Sequence, residues 1–291
     1  MKKYYNIAMV IGLLIFLPFN AYSSEEKWTS GPVRGHEDIT RFAVLAANKF
    51  IGHDFYPVVA YGDSGLISKN FLIQGNYQTD FPSATLCRRY HIDLKDCNLS
   101  RWQNNPELQI IHSLRNLPNG QKQEVPTLLN TLQGIRQIII QNTAYALQFH
   151  QQGKENLFFF WIGHVVHTIQ DSFSPAHVKR NPNTLGIIDM CIYGKKVDQV
   201  CYHHLLDTGD YIWVLKWGCL NGRSFACLKD EAVDAVKASA EYLETVYRFI
   251  QNNLQDDFDY QDNDWEKNET KKRNLNILFE DYLNRYFKNI L

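Results

Sequence analysis

The chain has 291 residues, a formal charge of −1, and 45% apolar against 21% charged residues. That is long enough for a sizeable core, and the charge balance excludes the basic field that broad duplex nucleic-acid binding needs. It leaves a small phosphate substrate open, because metal ions can supply positive charge locally.

Met1-Lys2-Lys3, the apolar run from Ile7 to Phe19 and the small residues around Ala21-Tyr22-Ser23 have the pattern of a secretory signal peptide, with an apolar core too short to span a bilayer. Cleavage is expected after Ser23, with Ser24 the close second, leaving 24–291 as one exported catalytic domain. Removal takes away Lys2 and Lys3 and no acid, so the mature chain is slightly more acidic. No cysteine follows the apolar run, which argues against a lipoprotein anchor. The expected product is secreted or periplasmic, with no transmembrane helix in the mature chain, and a monomer.

Past the signal, Gly35 to Asn48 has helical periodicity with acids near its start. Residues 52–122 read as a long irregular segment, broken by Gly62, Gly65, Gly75, Pro82, Pro106, Pro118 and Gly120. Pro126 suits the first turn of a helix running to about His150, with Leu128, Leu129, Leu132, Ile135, Ile138, Ile139 and Leu147 at helix spacing. Gly153 separates it from a helix over 155–173. Residues 181–201 read as a loop, and 202–217 resume helical spacing. An amphipathic helix follows over about 230–253, with Val233, Val236, Ala240, Leu243, Val246 and Ile250 on one stripe. A last helix runs over about 273–290. The absence of any useful alternating strand run makes the fold class all-α, a single-domain helical bundle.

The six cysteines fall as three close pairs. An exported chain with an even count favours disulfides, and local pairing (87–97, 191–201, 219–227) is the simplest connectivity. No CxxC is present to favour a thiolate zinc site.

The chemistry concentrates in Trp161-Ile-Gly-His-Val-Val-His-Thr-Ile-Gln-Asp-Ser-Phe-Ser-Pro-Ala-His177. His167 and Asp171 stand four apart and share a helical face. Pro175 is expected to end the helix and turn the chain, so His177 approaches from a new direction. Imidazole with carboxylate suits zinc, and a carboxylate can bridge two ions. Further candidates are His36 on the first helix, Asp80, His91 with Asp93 placed to orient it by accepting its other ring proton, and His203-His204 before Asp207. Only one of His203 and His204 can share the face of Asp207, since neighbours on a helix stand about 100° apart. The i+4 spacing selects His203, with His204 the alternative. Asp80 is better spaced from His91 than Asp63 is, though either could serve. His164 reads as packing rather than as support for a metal ligand, His53, His112 and His150 as structural or exposed, and Arg180 as an exposed helix-end arginine rather than a contact for a substrate phosphate.

Taken in order over residues 28–207, these motifs resemble the zinc-dependent phospholipase C / single-strand nuclease superfamily. Its members are secreted, all-helical, and hold three zinc ions in one cleft. The family order is an N-terminal Trp, a His on the first helix, an Asp and a His in a long loop, His-x3-Asp-x5-His, then His-x3-Glu or His-x3-Asp. Here the matching residues are Trp28, His36, Asp80, His91, His167, Asp171, His177, His203 and Asp207. The resemblance implies Zn2+, three per chain. One ion would take Asp80, His91, His167 and Asp171; a second would take His36, Asp171 and the amine and carbonyl of Trp28; the third would take His177, His203 and Asp207. In the family the Trp is the first mature residue, whereas here Glu25-Glu26-Lys27 precede it. The implied activity is phosphodiester hydrolysis with Asp171 as the bridge and Asp80 as general base. A phospholipase C acting on phospholipid at a membrane surface is favoured over a single-strand nuclease. The alternative of another class is a non-catalytic secreted protein that zinc stabilises, against which stands the rarity of closed structural zinc sites without thiolates.

Overall fold

The computed structural model describes residues 35–58, 70–98, 101–102, 105–115, 126–192, 225–253 and 269–288. The signal segment, Trp28, Asp63, Cys201, His203, His204, Asp207, Cys219 and the helix expected over 202–217 lie outside the described residues. The described ones fall in one unit, Gly31–Leu291, and are mostly helical, so the all-α expectation holds at that level. None of their helices is long and apolar enough to cross a membrane.

Helix α1, Gly35–Ile51, starts with Glu37 and Asp38 and ends near Lys49, charges that complement the helix dipole. Helix α2, Phe71–Asp80, is capped by Asn70, whose side chain accepts from the amides of Leu72 and Ile73. Helix α3, Ala84–Arg89, is capped by Ser83. A 3-10 turn follows at Leu94–Asp96 and a longer 3-10 helix at Pro106–His112. The described part of the segment expected to be irregular is therefore substantially helical. Pro82 and Pro106 sit where helices tolerate them: Pro82 lies between α2 and the cap of α3, and Pro106 lies in the first turn of its own 3-10 helix.

Helix α4, Leu128–Gln151, begins one residue after its cap Thr127, so Pro126 precedes the helix rather than opening it. Leu129, expected on the apolar stripe, is 54% exposed, while Leu132, Ile135, Ile139 and Leu147 are buried. Helix α5, Glu155–Asp171, is buried at every residue from Phe160 to Asp171, as expected of a helix surrounded on all sides. The loop expected over 181–201 begins instead as a hairpin: β1, Val178–Arg180, pairs antiparallel with β2, Ile187–Met190. A 3-10 turn at Phe225–Cys227, helix α6, Asp230–Asn253, and helix α7, Glu269–Tyr286, complete the described elements. On α6, Val236, Leu243, Val246 and Ile250 are buried as the stripe predicts. The local pair Cys87–Cys97 is a disulfide. Cys191 and Cys227 are disulfide-bonded as well, and their expected partners lie outside the described residues.

The central helix α5 packs against α1, α2, α4 and α6, and its closest neighbour is α2. A Cβ at Gly75 would stand 2.7 Å from the carbonyl carbon of Phe160 and collide with its oxygen. A Cβ at Gly163 would stand 2.8 Å from the carbonyl carbon of Leu72 and collide likewise. Backbone therefore meets backbone at this crossing, which only glycine permits. Gly75, read from sequence as a breaker, is a contact point inside a helix. Asp80 lies five residues beyond it on α2, and His167 four residues beyond Gly163 on α5.

Gly75→Ala and Gly163→Ala should each destabilise the protein by roughly 1–3 kcal/mol, because rigid backbone must move to admit the methyl. Thermal unfolding measures it; a melting temperature equal to the parent's would refute the backbone contact.

Candidate metal centre

Asp171 is the last residue of α5 and 2% exposed. Four imidazoles converge on its two oxygens. His36 Nε2 stands 3.2 Å from Oδ1. His112 Nδ1 and His167 Nε2 each stand 3.1 Å from Oδ2, and His177 Nδ1 lies 3.7 Å from it. Asp80 joins from α2, its Oδ1 3.4 Å from His167 Nε2 and 3.6 Å from His112 Nδ1. All four histidines are buried, whereas the Asp80 side chain keeps 33% of its surface open.

Each group arrives for a local reason. His36 sits in the first turn of α1, facing α5. His167 and Asp171 share a face of α5 at the i, i+4 spacing. The helix ends at Asp171, ahead of Pro175, and turns through Ser174, whose carbonyl accepts from the amides of His177 and Val178. The hairpin then fixes His177, since Cys191 N donates to its carbonyl at 2.8 Å. His112 closes a 3-10 helix; the next residue, Ser113, adopts a left-handed conformation and donates its hydroxyl to Thr168 O on α5.

His36, Asp80, His167, Asp171 and His177 thus come together as the motif order predicted. His91 does not. It is exposed, in a left-handed turn directly after α3 (φ 56°), because α3 fills the interval after Asp80 and its register turns Tyr90 inward instead. His112, read as structural or exposed, occupies the place expected of His91. Its signal was weak: no acid stands at ligand spacing, and its partner is 59 residues away. The only hint was its position after Leu108-Gln-Ile-Ile111, at the end of an apolar stretch.

Arg180 also differs from expectation, for it is neither exposed nor at the cluster. Its guanidinium donates to Ser172 O at 2.7 Å, Ser172 Oγ at 2.8 Å, Tyr286 O at 2.7 Å and Leu185 O, and it stacks 4.0 Å over Phe173. Burial lowers its pKa to about 9. His164 is fully buried in a directional chain. Thr79 Oγ1 donates to Gly75 O and so can only accept from His164 Nδ1. Tyr90 OH then donates to His164 Nε2 and accepts from Asn142. Burial, followed by nearby His167, His112 and Arg89, keeps His164 well below the usual imidazole range, in agreement with that neutral arrangement. Asp93 caps a turn through Lys95 N and does not orient His91. His150 pairs with Glu155 at 2.8 Å, and His53 is exposed against Tyr247.

The electrostatics follow from packing imidazoles around carboxylates. Burial alone would discharge His167, but Asp80 and Asp171 outweigh it and raise its pKa well above normal. Burial would likewise raise Asp171, yet the charges of His167 and His177 and the hydrogen bond from His112 hold it well below the carboxylate range. Asp80 is lowered against burial by the same histidines, His167 first.

Two sets of ligand atoms, His36–Asp80–His167 and His112–His167–Asp171, each lie mutually within 4.8 Å and could hold a metal ion. The fit is supported by the donors themselves. Both ring nitrogens of His167 are buried without a hydrogen-bond partner, Nε2 being the one that faces Asp80 and Asp171, and His112 Nε2 is likewise unpartnered, so neither ring is held by hydrogen bonds at both nitrogens as a purely structural histidine would be. His177 Nδ1 donates to His112 O at 2.6 Å, which fixes the proton on Nδ1 and the orientation of the ring.

No family model, curated protein or solved structure matches the chain.

Replacing His112 by Ala should lower bound metal by elemental analysis, whereas His91→Ala should leave it unchanged. The reverse pattern would restore His91 as the ligand. In the chelated protein, the depressed carboxylates contribute stability above about pH 4 that is lost as pH falls through their folded values, and His167 contributes stability below about pH 6.5 that is lost as pH rises through its raised value. His164, held neutral by burial, withdraws stability as pH falls below about 6.5. Melting temperature should therefore be highest at about pH 6.5 and fall on both sides; a flat profile would argue against the buried ion pairs.

Proposed function

We propose that the chain is an exported zinc-dependent phosphodiester hydrolase of the phospholipase C type, cleaving glycerophospholipids to diacylglycerol and a phosphorylated headgroup. The observation that carries this reading is the convergence of four buried imidazoles on one carboxylate, with a second carboxylate beside it. The two oxygens of Asp171 address different partners, His36 on one side and His112 with His167 on the other, which suits a carboxylate shared by two ions. Bound zinc would supply Lewis-acid stabilisation of phosphoryl charge and a nucleophile at neutral pH.

The residues divide the remaining work by exposure. Asp171 is sealed and serves as the fixed hub. Asp80 is the carboxylate open to solvent, and its lowered pKa keeps it ionised at neutral pH, so it can accept the proton of an attacking water. Phe81, 46% exposed, follows Asp80 and stacks on Tyr77 with ring centroids 4.7 Å apart. That pair offers a flat apolar surface beside the base. The motif order supports the same reading, with His112 in the place first given to His91. A secretory signal at 1–23, a third ion on His177 with His203 and Asp207, and a contribution from Trp28 belong to this proposal.

Release of phosphocholine from phosphatidylcholine vesicles and of nucleotides from single-stranded RNA should be measured side by side, with and without chelator. Phosphocholine release that chelator abolishes and zinc restores is the expected result. Nucleotide release alone would transfer the proposal to the nuclease reading, and chelator-insensitive activity would end the zinc proposal. Asp171→Asn should reduce turnover by about 100-fold or more, in the range of losing a principal transition-state electrostatic contact, together with loss of bound metal.

A further inference from the structure

Behind His36 lies a buried polar group drawn from three helices, none of it used in the chemistry above. Thr40 on α1, Asn76 on α2 and Gln170 on α5 are each fully buried. Gln170 immediately precedes Asp171, and Thr40 stands one helical turn after His36.

The proton positions in this group follow from one bond. Thr40 Oγ1 lies 2.8 Å from His36 O, and a carbonyl can only accept, so the threonine hydroxyl is the donor. Its oxygen is left solely as an acceptor. The group 2.8 Å away must then be the amide nitrogen of Gln170, and the one 3.1 Å away the amide nitrogen of Asn76. With its nitrogen committed to Thr40, Gln170 turns Oε1 toward His36 Nδ1 at 2.9 Å. Asn76 donates to the same Oε1 at 3.1 Å, reinforcing that orientation. An amide oxygen can only accept, so His36 Nδ1 carries the proton. In the neutral ring Nε2 is then the nitrogen with the lone pair, and it is the one 3.2 Å from Asp171 Oδ1.

We infer that Gln170 is a positioning residue: it holds His36 as its Nδ1–H tautomer and presents Nε2 as the ligand atom beside Asp171, with Thr40 fixing the sense of the glutamine amide. The metal-binding part of this inference rests on the zinc reading above; the tautomer part does not. One residue pair, Gln170-Asp171, supplies both the carboxylate and the support for the imidazole facing it. The metal-ligand function and its orienting partner thus share the rigid end of α5 rather than a loop.

Two readouts test it. The first is the His36 tautomer, read by two-dimensional proton–nitrogen NMR on the chelated protein at a pH where the ring is neutral. The parent should show Nδ1–H. Gln170→Leu should lose that preference, Gln170→Glu should keep it because a carboxylate still accepts from Nδ1, and Thr40→Val should weaken it by freeing the amide to turn. An Nε2–H ring in the parent, or an Nδ1–H ring persisting in Gln170→Leu, overturns the inference. The second is zinc affinity by competition with a chromophoric chelator. Gln170→Leu should bind its weakest ion about 10–100-fold less tightly, the usual cost of losing a ligand's hydrogen-bond partner, and Gln170→Glu should restore most of it. Equal affinity in folded Gln170→Leu overturns the role toward the metal. If the parent takes up no zinc, the zinc reading falls by itself, and the tautomer still decides whether Gln170 positions His36. Should Gln170→Leu fail to fold, the Gln170→Glu and Thr40→Val pair decides the matter: equal tautomer preference in the two, with neither differing from the parent, overturns it.

Discussion

The backbone contact between α2 and α5 is the constraint on which the centre depends. Side chains usually hold packed helices 8–10 Å apart. Here Gly75 and Gly163 remove the side chains at the crossing, and each helix lays its backbone on a carbonyl of the other. Downstream of that point, Asp80 and His167 come within 3.4 Å. Wider separation would leave a solvated aspartate on one helix and a buried, unpaired histidine on the other. The two glycines trade some helix propensity for a distance that no side-chain-mediated packing would give.

Charge concentration is the second consequence. Two carboxylates and four imidazoles share a space from which water is largely excluded. Burial opposes every charge in it, and pairing overcomes burial for His167, Asp80 and Asp171. Breaking one member of such a set leaves the others buried without compensation, so the cluster is costly unless a cation or protons occupy it. This is the physical sense in which the fold is arranged around positive charge.

Around this cluster the scaffold uses polar groups to fix orientation. His177 is set by the carbonyl of His112, Ser113 is tied to α5, and Arg180 clasps the end of α5, the hairpin and the end of α7 through main-chain oxygens. Arg180 is a case where sequence context misleads. An arginine after a helix end suggests solvent, but here it satisfies carbonyls that chain ends would otherwise leave bare.

Local pattern determined a good deal by itself. The i, i+4 pairing of His167 with Asp171, the turn toward His177, the stripe on α6 and the Cys87–Cys97 pair are short-range features, each governed by helical periodicity or by chain proximity. Tertiary structure decided the rest. His112 rather than His91 reaches Asp171, because α3 spends the residues after Asp80 and leaves His91 in an exposed left-handed turn, while a later 3-10 helix returns to α5. The described part of the segment read as irregular is helical because Gly75 is a contact point and Pro82 and Pro106 sit at a junction and a helix start. Spacing along the chain reports which groups can share one helix face; which groups from different elements meet depends on how closely those elements pack, and here two glycines set that distance.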